Sequence, residues 1–151
     1  MARRLGNAEQ HELILNDNLS DSTMTLYYRM PTTRERLGYD NSRTVRDKKG
    51  RVENKTPETR QKYGQLILTG FKDGDFERYE NGKWKPMSSN PSSPIYCPDW
   101  KDYLADHAGD VIETLAVQVF DLSVGLGEKE EDPSEDDTPD DTIDPADAEK
   151  N

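Results

Sequence analysis

Between residues 98 and 124, apolar side chains recur at steps of three and four. They are Trp100, Tyr103, Leu104, Ala108, Val111, Ile112, Leu115, Val119 and Leu122, the spacing of one face of an α-helix. Val117 and Phe120 widen that face toward its C-terminal end, which predicts burial on most sides there. Pro98 and Asp99 provide a start and Gly125 with Gly127 a stop. The pattern predicts one long amphipathic helix as the spine of the core. Upstream the apolar positions thin out and change period. Residues 11–16 and 22–30 read as strands, with Met24, Leu26 and Tyr28 alternating with Thr23, Thr25 and Tyr27. Turn residues at 17–21 join them into a hairpin.

Pro31 closes that hairpin, and Thr32 with Glu35 forms a capping box that opens a helix to about residue 46. Its apolar face is thin, resting on Leu37, Val45 and Tyr39, and Gly38 weakens it further. Residues 47–51 read as a mobile linker. Thr56, Pro57 and Glu58 then start a second helix, with Tyr63, Leu66, Ile67 and Phe71 on one face and Thr69-Gly70 as its end. Asn81-Gly82, set between 76–80 and 83–85, is a hairpin signal because both residues tolerate positive φ. Residues 90–94 form a rigid, polar approach to the long helix. The fold class this predicts is α+β: a small N-terminal β-hairpin, two modest helices, a second short hairpin, a long amphipathic C-terminal helix and a disordered acidic tail. The boundaries are a flexible N-terminus at 1–9, a single small domain at 10–126 and the tail at 127–151.

Composition sharpens this division. The chain is 31% hydrophobic and 34% charged, lean for a globular protein; either part of it stays unfolded or a partner completes the core. The net charge of −11 is almost all in one place. Residues 128–151 hold twelve acids and two lysines, against 19 acids and 18 bases in the other 127 residues. Such a tail, nearly free of apolar side chains, cannot offset the entropy of ordering. One cysteine, Cys97, excludes an internal disulfide and suits a reducing compartment. With no apolar run after Met1-Ala2-Arg3-Arg4, neither a signal peptide nor a membrane span is expected, and the predicted location is cytoplasmic.

Catalytic chemistry is hard to find in the sequence. Asp73-Gly74-Asp75 invites a calcium reading, but Arg78 and Trp84 stand where that loop needs Gly and Glu. Cys97, His11 and His107 have no zinc spacing. His107 with Asp110 and Glu113 rests on helical spacing alone, and no nucleophile motif or phosphate-cradling glycine loop is present. The expectation is a non-enzyme with no catalytic residue, cofactor or metal. Charge says more. Residues 29–62 carry eleven bases and five acids, and Arg34, Arg36, Arg43, Arg46, Lys48, Lys49 and Arg51 form a candidate basic surface. It could meet nucleic acid, the chain's own tail or an acidic partner, or be ordinary solvated decoration.

The stretch Tyr28-Arg29-Met30-Pro31-Thr32-Thr33-Arg34-Glu35-Arg36 resembles small proteins of bacteriophage and prophage tail modules, the tail assembly chaperones. Residues 57–64 and 98–104 fit the same look, so the likeness spans 22–124 and leaves the acidic tail uncovered. It implies strands followed by a small helical domain, and binding to the long helical tape-measure protein during virion morphogenesis. The expected partner is therefore that protein or another tail protein, with self-association left open and no membrane contact. The alternative function is a nucleic-acid regulator using 29–62, with the acidic tail as internal competitor. Because the first two helices offer little apolar cover, the end of the long helix carrying Val117, Val119, Phe120 and Leu122 is the predicted partner-binding patch.

Overall fold

The computed structural model describes residues 9–122 together with Ala2 and Leu5. Strands β1 (His11–Asp17) and β2 (Ser22–Tyr28) form the expected hairpin. Its turn is closed by Asp17, whose carboxylate accepts from the Leu19 amide (3.0 Å) and the Ser20 hydroxyl (2.6 Å). Period-two alternation sends Met24, Leu26 and Tyr28 inward and pairs them with Leu15, Leu13 and His11. The Thr32 capping box is present in both directions and starts α1 (Thr33–Ser42).

From there three expectations need correction. The first helix stops at Ser42, not near residue 46, and the chain continues as a hairpin of β3 (Thr44–Arg46) and β4 (Val52–Asn54). Residues 47–51 are its turn rather than a mobile linker. Asp47 accepts from the amides of Lys49 and Arg51 (2.9 Å each), and Gly50 takes φ of 77°. Second, α2 (Thr56–Ile67) ends before Thr69-Gly70, and Phe71 is not on its face. The chain turns straight into β5 (Leu68–Phe71), which pairs antiparallel with β2 and completes a three-stranded sheet in the order β1-β2-β5. Thr56 is the first helical residue rather than the cap: Lys55 stands at the N-cap with no side-chain cap bond, and Asn54 before it accepts from the Thr56 amide at 3.0 Å. Tertiary pairing with β2 overrides the helical periodicity that suggested Phe71.

The third correction concerns the spine. Asn81-Gly82, with φ of 52° and 76°, joins β6 (Glu77–Glu80) to β7 (Lys83–Pro86) as expected. The single long helix, however, is two: α3 (Trp100–His107) and α4 (Gly109–Ala116), continued by one π-turn at Val117–Asp121. The break is at Ala108, with φ −131° and ψ 42°, next to Gly109, a poor helix residue. The two halves bury against different partners. Trp100 meets Phe71 edge-on at 5.8 Å, whereas Phe120 packs between Tyr39 and Tyr63.

The core joins the inner face of the sheet to α2, α3 and α4. Helices α2 and α4 cross closely at Gly64: a β-carbon there would lie 2.6 Å from the Ile112 carbonyl oxygen and 2.7 Å from its Cγ2. The architecture is α+β, as the alternating periods predict. Among the described residues no helix is long and apolar enough to cross a membrane. The predicted stop at Gly125-Gly127 and the tail at 127–151 lie outside the described residues, and of the N-terminal segment only Ala2, Leu5 and Glu9 are described.

Candidate interaction surfaces

Residues 29–35 build a structural joint. Arg29 and Glu35 pair through two bonds of 2.7 and 2.8 Å, the strong bidentate form. Glu35 also accepts from the Thr32 amide (2.9 Å), and Arg29 receives a second tether where its own amide donates to the Ile67 carbonyl (3.0 Å). One pair thus locks β2, α1 and the α2–β5 junction together. The Arg29 guanidinium, with the Thr32 amide and hydroxyl, holds the Glu35 carboxyl down to about 2 against burial, which opposes the shift.

The predicted partner-binding patch divides on inspection. Val119 is fully buried and Phe120 is 9% exposed; both belong to this chain's own core. Phe120 stacks on Tyr39 at 4.5 Å and meets Tyr63 edge-on at 5.7 Å. Tyr39 supplies the cover that the thin face of α1 was expected to lack, while Leu37 and Val45 point to solvent. Val117 is half-buried and only Leu122 is exposed. The π-turn rotates Asp121 onto three partners: the Tyr39 hydroxyl donates at 3.1 Å, Arg60 at 3.3 Å, and Arg43 stands at 3.7 Å. The Val119 carbonyl of the same turn accepts from Arg36 at 3.2 Å.

The candidate basic surface therefore sorts into two sets. Arg36 and Arg43 are committed to the last turn, as is Arg60, which also pairs with Glu113 at 3.1 Å. Arg46, Lys48, Lys49 and Arg51 instead crowd the β3–β4 hairpin, where every residue is exposed, and no carboxylate side chain among the described residues pairs with them. Arg34 is exposed on α1, away from that group in sequence.

The residues weighed for chemistry do not assemble. His107 packs at a tilt against Tyr103 at 4.4 Å and Glu113 is paired with Arg60; His107, Asp110 and Glu113 share no bond. His11 packs on Tyr28. Asp75 accepts from the Thr25 amide at 2.8 Å and Asp73 from the Ser88 hydroxyl, which makes this loop a brace between the hairpin and residue 88. Cys97 is half-buried beside the Ile95 carbonyl. No group of three or more metal-ligating side chains occurs among the described residues.

One surface was not legible in the sequence. The β1–β2 turn and the start of α4 enclose an open cleft of about 290 Å³, lined by the apolar Leu15, Leu19, Met24 and Val111 and by five polar residues, Asp17 and Asp110 among them. Leu19 is 93% exposed and Ile14, on the adjoining strand, 65%. Strand β1 is an edge, and among the described residues no strand pairs with its outer side. Leu19 stood in a turn and hinted at nothing; only the tertiary approach of α4 gives it neighbours. Compared with described protein families, curated proteins and solved structures, the chain matches none.

Proposed function

We propose that this chain is a non-enzymatic phage or prophage morphogenesis protein, a tail assembly chaperone that binds a helical structural partner. The observation that carries the reading is the half-apolar cleft beside β1, an edge strand among the described residues. A side chain as large as Leu19, left 93% exposed beside Leu15, Met24 and Val111, offers apolar surface that water covers poorly until a partner does. The cleft suits the apolar stripe of an amphipathic helix, and the lining acids Asp17 and Asp110 favour a partner that flanks its stripe with lysine or arginine. The likeness at 28–36 supports the same reading from the sequence side. Contact by a small, half-polar cleft is weak enough to be released, as assembly around a tape-measure protein requires.

The test is co-expression of the full chain with the tape-measure protein of its tail module, followed by co-purification and calorimetric titration. Leu19→Ser removes the exposed apolar surface and leaves the charge of the cleft unchanged. It should leave thermal unfolding unchanged and weaken binding on the order of tenfold or more, the loss of one apolar anchor. Equal affinity of both proteins, or no complex at all with the unaltered chain, would remove this reading.

A further inference from the structure

We infer that the β3–β4 hairpin is the docking surface for the chain's own acidic segment, residues 128–151. This inference stands apart from the proposed cleft and rests on different residues. Three observations meet here. The hairpin is a projecting ribbon whose strands and turn bury nothing, so it adds no apolar surface to the core. It concentrates cations: Arg46, Lys48, Lys49 and Arg51 lie within six residues, and the one carboxylate among them, Asp47, faces the turn amides. The described chain leaves the fold at the base of this same ribbon. Asp121 contacts Arg43, the residue just before β3, and Lys55, just after β4, donates its amide to the Arg43 carbonyl at 2.7 Å.

Reach and charge then fit. Six residues from Leu122 to Glu128 span at most about 20 Å, and the ribbon extends about 17 Å from Arg43 to Lys48. The first acids therefore arrive within range of the tip. Residues 128–137 hold seven carboxylates and one lysine, opposite in sign to the ribbon. A connection this short raises the local concentration of the segment to the millimolar range, ahead of any free competitor of similar charge. Single exposed ion pairs are weak, but several acting together on one tether are sufficient for a contact that salt dissolves. Nucleic acid would seek the same four cations, and the experiment separates the two.

The full-length chain is compared with a full-length variant in which the seven carboxylates of 128–137 are replaced by their amides. At about 0.01 M salt, where screening is least, backbone amide resonances should differ mainly over residues 44–54, and the difference should vanish at about 1 M. In a second arm, a short DNA duplex should bind the neutralised variant on the order of tenfold more tightly than the unaltered chain. Adding Arg46→Gln, Lys48→Gln, Lys49→Gln and Arg51→Gln should abolish that gain. Resonance changes that are absent, or spread evenly over the fold, overturn the inference. Equal duplex affinity with and without the seven carboxylates also overturns it and leaves the ribbon as an open nucleic-acid surface.

Discussion

The flanks and the middle of one basic segment behave in opposite ways. Arg36, Arg43 and Arg60 close over the π-turn, where they serve the Val119 carbonyl, Asp121 and Glu113. Arg46, Lys48, Lys49 and Arg51, only a few residues away, touch no carboxylate side chain in the described fold. The difference is burial. Beside Tyr39 and Phe120 the Asp121 side chain is only 18% exposed, so removing its partners leaves a poorly hydrated charge, whereas on the ribbon water replaces any partner at little cost. The same residue types therefore make structure on the flanks and stand in the middle without a carboxylate partner among the described residues.

The strongest way to break that contrast is to attack the aromatic joint. Phe120→Ala should lower stability by about 3–5 kcal/mol, the usual cost of emptying a buried phenyl site, read as a shifted midpoint in urea unfolding followed by circular dichroism. Phe120→Asp should not fold. A Phe120→Asp protein that folds with its midpoint intact and merely loses association would return this end to an interface and undo the contrast. Gly64→Ala comes next, because its β-carbon would meet the Ile112 carbonyl at 2.6 Å and backbone gives way poorly. Overpacking of this kind costs about 1–3 kcal/mol, and the same titration checks it.

Much of the fold could be read in advance, and the misses share a cause. The capping box at Thr32, the Asn81-Gly82 turn and the alternation of Met24, Leu26 and Tyr28 are local devices whose partners lie within a few residues. The break at Ala108 was hinted at by Gly109 alone. It is decided by Trp100 and Phe120 packing on different elements, and a helical wheel cannot show that. Helical period alone places Phe71 on α2, but its strand pairing with β2 is the stronger demand. Tyr39 shows the limit for sites: one ring, ranked last on a polar helix, covers the patch otherwise assigned to a partner. The four ribbon cations were visible by charge, but their freedom from pairing was not.

The Arg29–Glu35 joint tests whether the motif at 28–36 is a structural device. Glu35→Gln should cost about 1–3 kcal/mol, as expected for a charged hydrogen-bond pair only partly open to water. The carboxyl is held from an ordinary 4.5 down to about 2, so the folded form binds its proton less readily than the unfolded one. Its stabilisation is complete above pH 4.5 and drains away as pH falls toward 2. Unfolding midpoints of the unaltered chain and Glu35→Gln should therefore converge across that window. Parallel curves would mean that Glu35 is not the group responsible.

The smallest expected effect is the sharpest check on the contrast. Replacing Arg46, Lys48, Lys49 and Arg51 together with glutamine removes four charges from a ribbon that buries nothing. Surface changes of this sort move stability by about 0.5 kcal/mol or less each way, and relief of mutual repulsion opposes any loss of strand propensity. The urea midpoint at about 0.15 M salt, where exposed charges more than about 8 Å apart are largely screened, should be unchanged. Arg43→Gln and Arg60→Gln, two changes in place of four, should lower it, because Asp121 and Glu113 then lose their partners beside Tyr39. If four ribbon substitutions cost more than two at the joint, the ribbon is held against the fold by contacts of its own. Its cations would then not be free for the acidic segment or for any other ligand.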